Sequence, residues 1–225
     1  MRFAGTNKLG RMAASLSTWA LPPFYGRLPL SRINRQGFIS PQALLHHHEL
    51  KLGSHVFIDD GVMIFQDREG QAVVIGDDVH LHRGTTIQTG SGGSLTIGNQ
   101  VHVQPRCQFS AYKGPIVISH RCEIAPACAF YSYNHGVAPG VPVREQALHT
   151  KGGIFLNEDV WLGYGVIVLD GVHIGKGAVV GAGSVVTKDL PPNSIASGVP
   201  ARVLKMRDGS SEDPNIRSTD RNTSR

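Results

Sequence analysis

The sequence predicts an all-β fold, a stack of parallel coils with three short strands to each turn, and three observations carry that prediction. First, an aliphatic residue returns every six positions at Leu156, Leu162, Val168, Ile174, Val180 and Val186, and a small or β-branched one stands four places later at Val160, Val166, Val172, Ala178 and Ser184. This period is neither the 2 of a strand nor the 3.6 of a helix. A fixed short repeat implies turns that each complete their neighbour's core. Second, the same rhythm runs back to Leu52 in triplets: Leu52, Ile58, Ile64; Ile75, Leu81, Ile87; Ile97, Val103, Phe109; Ile118, Ile124, Phe130. Third, the chain is 40% hydrophobic but only 7% aromatic, with 27 glycines, so its interior is built from Val, Ile, Leu and Ala, residues that suit strands buried on one face.

Taken in order, residues 1–50 have no six-residue rhythm and are broken by Pro22, Pro23, Pro29 and Pro41. This leader carries Arg2, Lys8, Arg11, Arg27, Arg32 and Arg35 and no acid before Glu49, whereas the rest of the chain is about neutral within a total of +5. Six cations at that density favour a solvated leader, and they also suit weak association with an anionic membrane surface. No nucleic-acid partner is expected. Met12–Leu21 is too short to span a bilayer and Pro22-Pro23 follows it, so it reads as a short helix or a segment that caps the stack. His46-His47-His48 reads as a surface cluster, since no carboxylate or cysteine joins it at ligand spacing.

The repeat domain is expected over 51–206. In it, Gly53, Gly76, Gly98, Gly163, Gly175 and Gly181 follow leading positions, where a corner between strands needs unusual backbone angles or close approach. Cys107, Cys122 and Cys128 fall on inward small-residue positions and read as reduced structural thiols, in keeping with a cytoplasmic protein. Between the leading positions 118 and 156 lie 38 residues where one turn needs 18. The excess forms a protruding loop at about 132–153, and its prolines favour an ordered excursion. The tail 207–225, with four acids and four arginines among Ser and Asn, is predicted to be disordered.

The hexads, together with Val-Trp-Leu-Gly at 160–163, Gly-Ala-Gly-Ser-Val-Val-Thr-Lys-Asp at 181–189, Pro191-Pro192 and Gly-Val-Pro-Ala-Arg-Val at 198–203, resemble the hexapeptide-repeat acyltransferases over roughly residues 50–206. Within that family the chain is most similar to the maltose, galactoside, nodulation and polysaccharide O-acetyltransferases. The resemblance implies a left-handed parallel β-helix, acetyl-CoA as acyl donor, a homotrimer with its sites between adjacent prisms, and a cytoplasmic protein, peripheral at the inner membrane face if the leader binds there.

An imidazole with a pKa near ~6.5 accepts a proton from a hydroxyl at neutral pH and hands it on, as acyl transfer to an alcohol requires. His135 in the loop is the candidate, and the resemblance implies the same role for a loop histidine after Asn, as in Asn134-His135. Tyr133, Asn134 and Gln146 are candidate acceptor-side or His-orienting groups. By resemblance the corner at Gly163-Tyr164 lies near the thioester, where a backbone amide would meet the oxyanion. The family often has a small residue where Tyr164 stands. Trp161 flanks the acyl-donor groove or packs on an outer face, and Ala182, Thr187, Lys188, Arg202 and Lys205 match positions that line the pantetheine arm and phosphates. The acceptor implied is a hydroxyl of a sugar, polysaccharide or glycolipid precursor, with an amino-sugar amine as the nearest alternative.

His80 and His102 share one hexad position, so they are expected to stack on adjacent coils with Glu123 next in the ladder. The related γ-carbonic anhydrases bind zinc with histidines from neighbouring coils, but their histidine spacing is not matched here, and no metal is expected.

Overall fold

The computed structural model describes residues 8–19, 21 and 24–210. Residues 1–7, 20 and 22–23 of the leader and 211–225 of the tail lie outside the described residues. Among the described residues, three mainly parallel sheets of nine, seven and six strands form the faces of a prism, and the chain visits the first, second and third face in turn on every coil. The all-β stacked-coil architecture expected from the hexads is present, a β-helix.

The register follows the leading positions. On the first face Ile58, Leu81, Val103, Ile124, Leu162 and Val180 pair in sequence. On the second, Ile64, Ile87, Phe109, Phe130, Val168 and Val186 do the same. All of these are buried, so each coil's aliphatic residue closes against the one before it. Phe109 and Phe130 stack at 4.7 Å with their rings 4° apart, both fully buried. Phe130→Ala is therefore expected to lower the urea-unfolding free energy by ~3–5 kcal/mol, and Phe130→Leu by distinctly less.

Glycine after a leading position serves close approach rather than an unusual dihedral. A Cβ on Gly53 would lie 2.5 Å from the carbonyl carbon of Gly76 on the next coil. The left-handed backbone falls two residues further on, carried by His55, Asp78 and Gln100 after Gly53, Gly76 and Gly98 (φ 53–57°) and by Gly165, Gly177 and Gly183 after Gly163, Gly175 and Gly181 (φ 67–70°).

The stack begins one coil earlier than the hexads predict. Phe38–Ile39 pairs with Phe57–Ile58, and Leu44–His46 with Met63–Gln66, so Ile39 and Leu45 are leading residues six apart. A seven-residue step from Leu45 to Leu52 hides this coil from a six-residue count. Helices α1 (Lys8–Trp19) and α2 (Leu28–Ile33) precede it. Ala14 and Leu30 pack on Phe38 and Phe57, which point outward from the first face, so the helices cover that face's first two strands. An Arg27–Asp60 ion pair of 2.8 Å ties this cap to the coils.

Order also extends past the predicted start of the tail. Arg207 donates to Asp159 at 3.1 Å and to the Gly177 carbonyl, and residues 206–210 form a turn that closes Met206 N–H on the Ser210 carbonyl. The three cysteines are free and buried; each thiol donates to a backbone carbonyl of the adjoining coil, and burial pushes Cys122 up to about 11. His47 bonds Thr89 at 2.9 Å, while His46 and His48 are exposed. No helix among the described residues is long and apolar enough to cross a membrane.

Candidate active site

The loop leaves the second face after Ala129–Tyr131 and rejoins the third at Ile154–Leu156. It is an ordered excursion. Asn134–His135 and Leu148–His149 form a short antiparallel pair in which His135 faces Leu148. Gln146 clasps the tip: its Oε1 accepts from the Ala138 N–H at 2.8 Å, and its Nε2 donates to the carbonyls of Ala138 (3.0 Å) and Val141 (2.8 Å). That amide shapes the loop and is committed there. His135 itself is exposed, with the Tyr133 ring 6.0 Å from its own. Tyr133 in turn meets Tyr112 at 5.1 Å and Tyr131 at 6.4 Å. Burial and the bond it donates to Asp67 push Tyr112 up to about 12, so it stays a donor at neutral pH.

The base of the loop is anchored by a residue that the sequence reading did not single out. Asp170 is 5% exposed, and its carboxylate receives four donors: Asn134 Nδ2 (2.8 Å), the Thr150 hydroxyl (2.8 Å), and the N–H groups of Lys151 (2.6 Å) and Gly153 (3.1 Å). A buried carboxylate is tolerable only when so satisfied. Asp170 thereby fixes both ends of the excursion, the residue before His135 and the return to the third face. The signal available was its place: Tyr131 pairs with Leu169, so Asp170 lies directly beyond Ser132, where the loop departs.

The Asn134 side chain is thus held by Asp170 at the base of the hairpin that carries His135, and the Tyr133 ring lies near the imidazole. Thr187 and Lys188 follow Val186, which pairs with Val168, so they occupy the same corner as Asp170 one coil further on. Both are exposed. Gly163, Tyr164 and Ala182 share the other corner, between the first and second faces, where a Cβ on Gly163 would lie 2.7 Å from the Ala182 nitrogen. The backbone amides of this corner differ in what they bond. The Gly163 N–H donates to the Val180 carbonyl at 2.8 Å and is unavailable, whereas the N–H groups of Tyr164 and Ala182 have no acceptor among the described residues. Trp161, 54% exposed, stands on the outer first face. Arg202 and Lys205 lie on Ala201–Met206, the antiparallel strand that ends that face. Within one chain, then, the His135 corner and the Gly163–Ala182 corner are separated by the width of the second face.

The expected imidazole ladder is present. His80 pairs with His102 and His102 with Glu123; the two imidazoles stack at 4.5 Å, and His102 Nδ1 lies 2.9 Å from Glu123 Oε1. Parallel stacked rings do not aim their nitrogens at one point, and no group of three His, Cys, Asp or Glu among the described residues is placed to hold a metal ion. Burial, and secondarily the nearby His102, His82 and Arg32, lower His80 from 6.5 to about 4, while the Glu123 hydrogen bond raises His102. Between pH 6.5 and 4 the unfolded chain takes up a proton that folded His80 refuses, so His80's contribution is full above 6.5 and lost as the pH falls toward 4. The raised His102 acts oppositely, contributing below 6.5 and fading as the pH rises through its folded value. Because His80 is partly solvated, the acid loss is expected to be only ~1–2 kcal/mol. His80→Gln should flatten the fall in thermal midpoint between pH 6.5 and 4.

Comparison with known proteins agrees with this architecture. Residues 153–188 match the bacterial transferase hexapeptide family (six repeats). A Staphylococcus aureus protein provisionally named an acetyltransferase is 39% identical over 120 residues, 53% of this chain and 59% of that one. The galactoside O-acetyltransferase of Lactococcus lactis is 42% identical over 90 residues, 40% of this chain and 42% of that one. The chain spans about half the length of the curated relatives it matches. Among solved structures, AntD, an N-acyltransferase from Bacillus cereus in complex with dTDP and 3-hydroxybutyryl-CoA, shares the fold with a TM-score of 0.55 at 23% identity, over 83% of this chain and 90% of that one. Residues 153–188 thus carry the bacterial transferase hexapeptide match, and the stacked hexads continue the same repeat on either side of it, so the chain is similar to the hexapeptide-repeat transferases.

Proposed function

We propose that the chain is an acetyl-CoA-dependent O-acetyltransferase acting on a hydroxyl of a sugar or of a polysaccharide or glycolipid precursor. The observation that carries this reading is His135, exposed on an ordered hairpin whose base Asp170 grips, beside the corner that continues to Thr187 and Lys188. The acceptor oxygen attacks the thioester carbonyl carbon as His135 takes the hydroxyl proton. The oxyanion is met by the N–H of Tyr164 or Ala182. Collapse expels the thiolate, which recovers the proton from the imidazolium, leaving an acetyl ester and free coenzyme A. Trp161 flanks the donor, Thr187 and Lys188 line its pantetheine arm, and Arg202 and Lys205 meet its phosphates. A donor of this kind accords with a cytoplasmic protein.

The separation of the His135 and Gly163–Ala182 corners supports a homotrimer in which one copy's loop meets another's corner across the flat second face. Residues 51–206 form the catalytic unit in this reading, with the helices and first coil as its cap. The printed names of the Lactococcus relative and of AntD support a sugar-linked acceptor, with hydroxyl and amine as the two chemistries to separate.

The test is release of free thiol from acetyl-CoA with and without sugar acceptors, followed by treatment of the product with alkaline hydroxylamine, which cleaves an oxygen ester and spares an amide. Acceptor-dependent release of a hydroxylamine-labile product is expected. Release indifferent to every acceptor contradicts acetyl transfer, and a resistant product contradicts O-acetylation.

A further inference from the structure

A cavity of about 600 Å³ opens on the first face beside α2, away from the His135 loop. Its volume falls within the ~300–1,000 Å³ usual for small-ligand sites. His80, His102 and Glu123 of the outer ladder line it, and Arg32 of α2 adds a polar group from the cap. A further wall comes from the corner between the third and first faces. There His55, Asp78, Gln100 and Arg121, one from each of four successive coils, hold left-handed backbone at φ 57°, 53°, 56° and 58°. Glycine holds the corresponding place at Gly177, and takes that conformation without strain. The same corner is left-handed at Asp159 and Asn193 beyond the cavity (φ 60° and 57°), so the conformation belongs to the coil, and what sets these four residues apart is that each presents a polar side chain to the one cavity.

The chemistry of the lining selects its ligand. Two arginines face two carboxylates, so the formal charge balances and favours neither a phosphate nor an ammonium group. Glu123 is engaged by His102, and Arg121 by Glu158. What remains is a dense mixture of donors and acceptors with flat imidazole and amide surfaces, which suits hydroxyl groups that both donate and accept. The ladder then leads out of the cavity, because Glu123 pairs with Trp161 on the next strand, toward the proposed donor groove.

We propose that this cavity binds an uncharged sugar unit of the acceptor, a subsite separate from the His135 loop. The word acceptor rests on the acetyl-transfer reading; the sugar site itself does not. Binding is measured by saturation-transfer NMR with lactose and maltose on the full chain without acetyl-CoA, using glucuronic acid and inorganic phosphate as charged competitors. Gln100→Gly and Asp78→Gly remove ligand groups while relieving left-handed backbone, so each is expected to weaken neutral-sugar binding about tenfold, the loss of roughly one hydrogen bond, without lowering the thermal midpoint. His135→Ala should bind sugar as the wild type does. Absence of any saturable neutral-sugar signal, binding unmoved by both glycine variants, or preference for the charged competitors overturns the proposal. If the glycine variants lose binding but no acceptor stimulates thiol release, the sugar site stands and acetyl transfer falls. If transfer proceeds with wild-type acceptor KM in both variants, the sugar site falls and acetyl transfer stands.

Discussion

His135→Ala is expected to lower acetyl transfer by ~10²-fold or more, with the KM for acetyl-CoA changed little. The loss has one source: without the imidazole no group accepts the hydroxyl proton as the carbon–oxygen bond forms. The neighbouring side chains offer no substitute, and His149, paired with Asn134, lies on the opposite face of the hairpin. Asn134 is bound to Asp170, Gln146 is committed to the loop's own backbone, and Tyr112 remains protonated. Because His135 is exposed and its side chain supports no core packing, the thermal midpoint of the variant should match the wild type. Transfer within a few-fold of the wild type would refute the assignment.

Asp170→Asn should have the second-largest effect, and it acts through position. Each carboxylate oxygen receives two donors, Oδ1 from Thr150 and Gly153 and Oδ2 from Asn134 and Lys151. An amide in either orientation turns one acceptor into a donor facing two donors. The loss of charge-assisted bonds at a buried site releases the base of the hairpin, and kcat is expected to fall about 10- to 100-fold. The KM for acetyl-CoA should change little, since Trp161, Arg202 and Lys205 lie on a different face and the Asp170 carboxylate bonds neither Thr187 nor Lys188 on the next coil. A proportional rise in that KM with kcat unchanged would show Asp170 to act on the donor instead.

The hexads were legible because the coil imposes one steric rule at every leading position, and side chains from Ile58 to Val186 obey it. Ile39 and Leu45 obey it too, yet the seven-residue step to Leu52 breaks the count that would reveal them. The helical cap was only half legible: a short helix could be read from 12–21, but its seat on the outward Phe38 and Phe57 depends on a coil that the period had not registered. In the candidate site, His135 was readable from imidazole chemistry within an interrupted repeat. Asp170 was not, because its partners lie 17–36 residues away and meet it only once the loop is folded back on the corner. The Gly163 amide shows the converse. A glycine beside a corner looks available in sequence, whereas the ladder of the stacked coils takes its N–H for Val180.

The measurement that tests the central claim most directly is mass spectrometry of acceptors incubated with the full chain and acetyl-CoA, using a panel of neutral sugars and oligosaccharides beside their amino-sugar counterparts. A mass increment of one acetyl group on a neutral sugar, absent with His135→Ala, is expected. Unmodified neutral sugars throughout the panel, with the increment confined to amino sugars or present equally in His135→Ala, would contradict it.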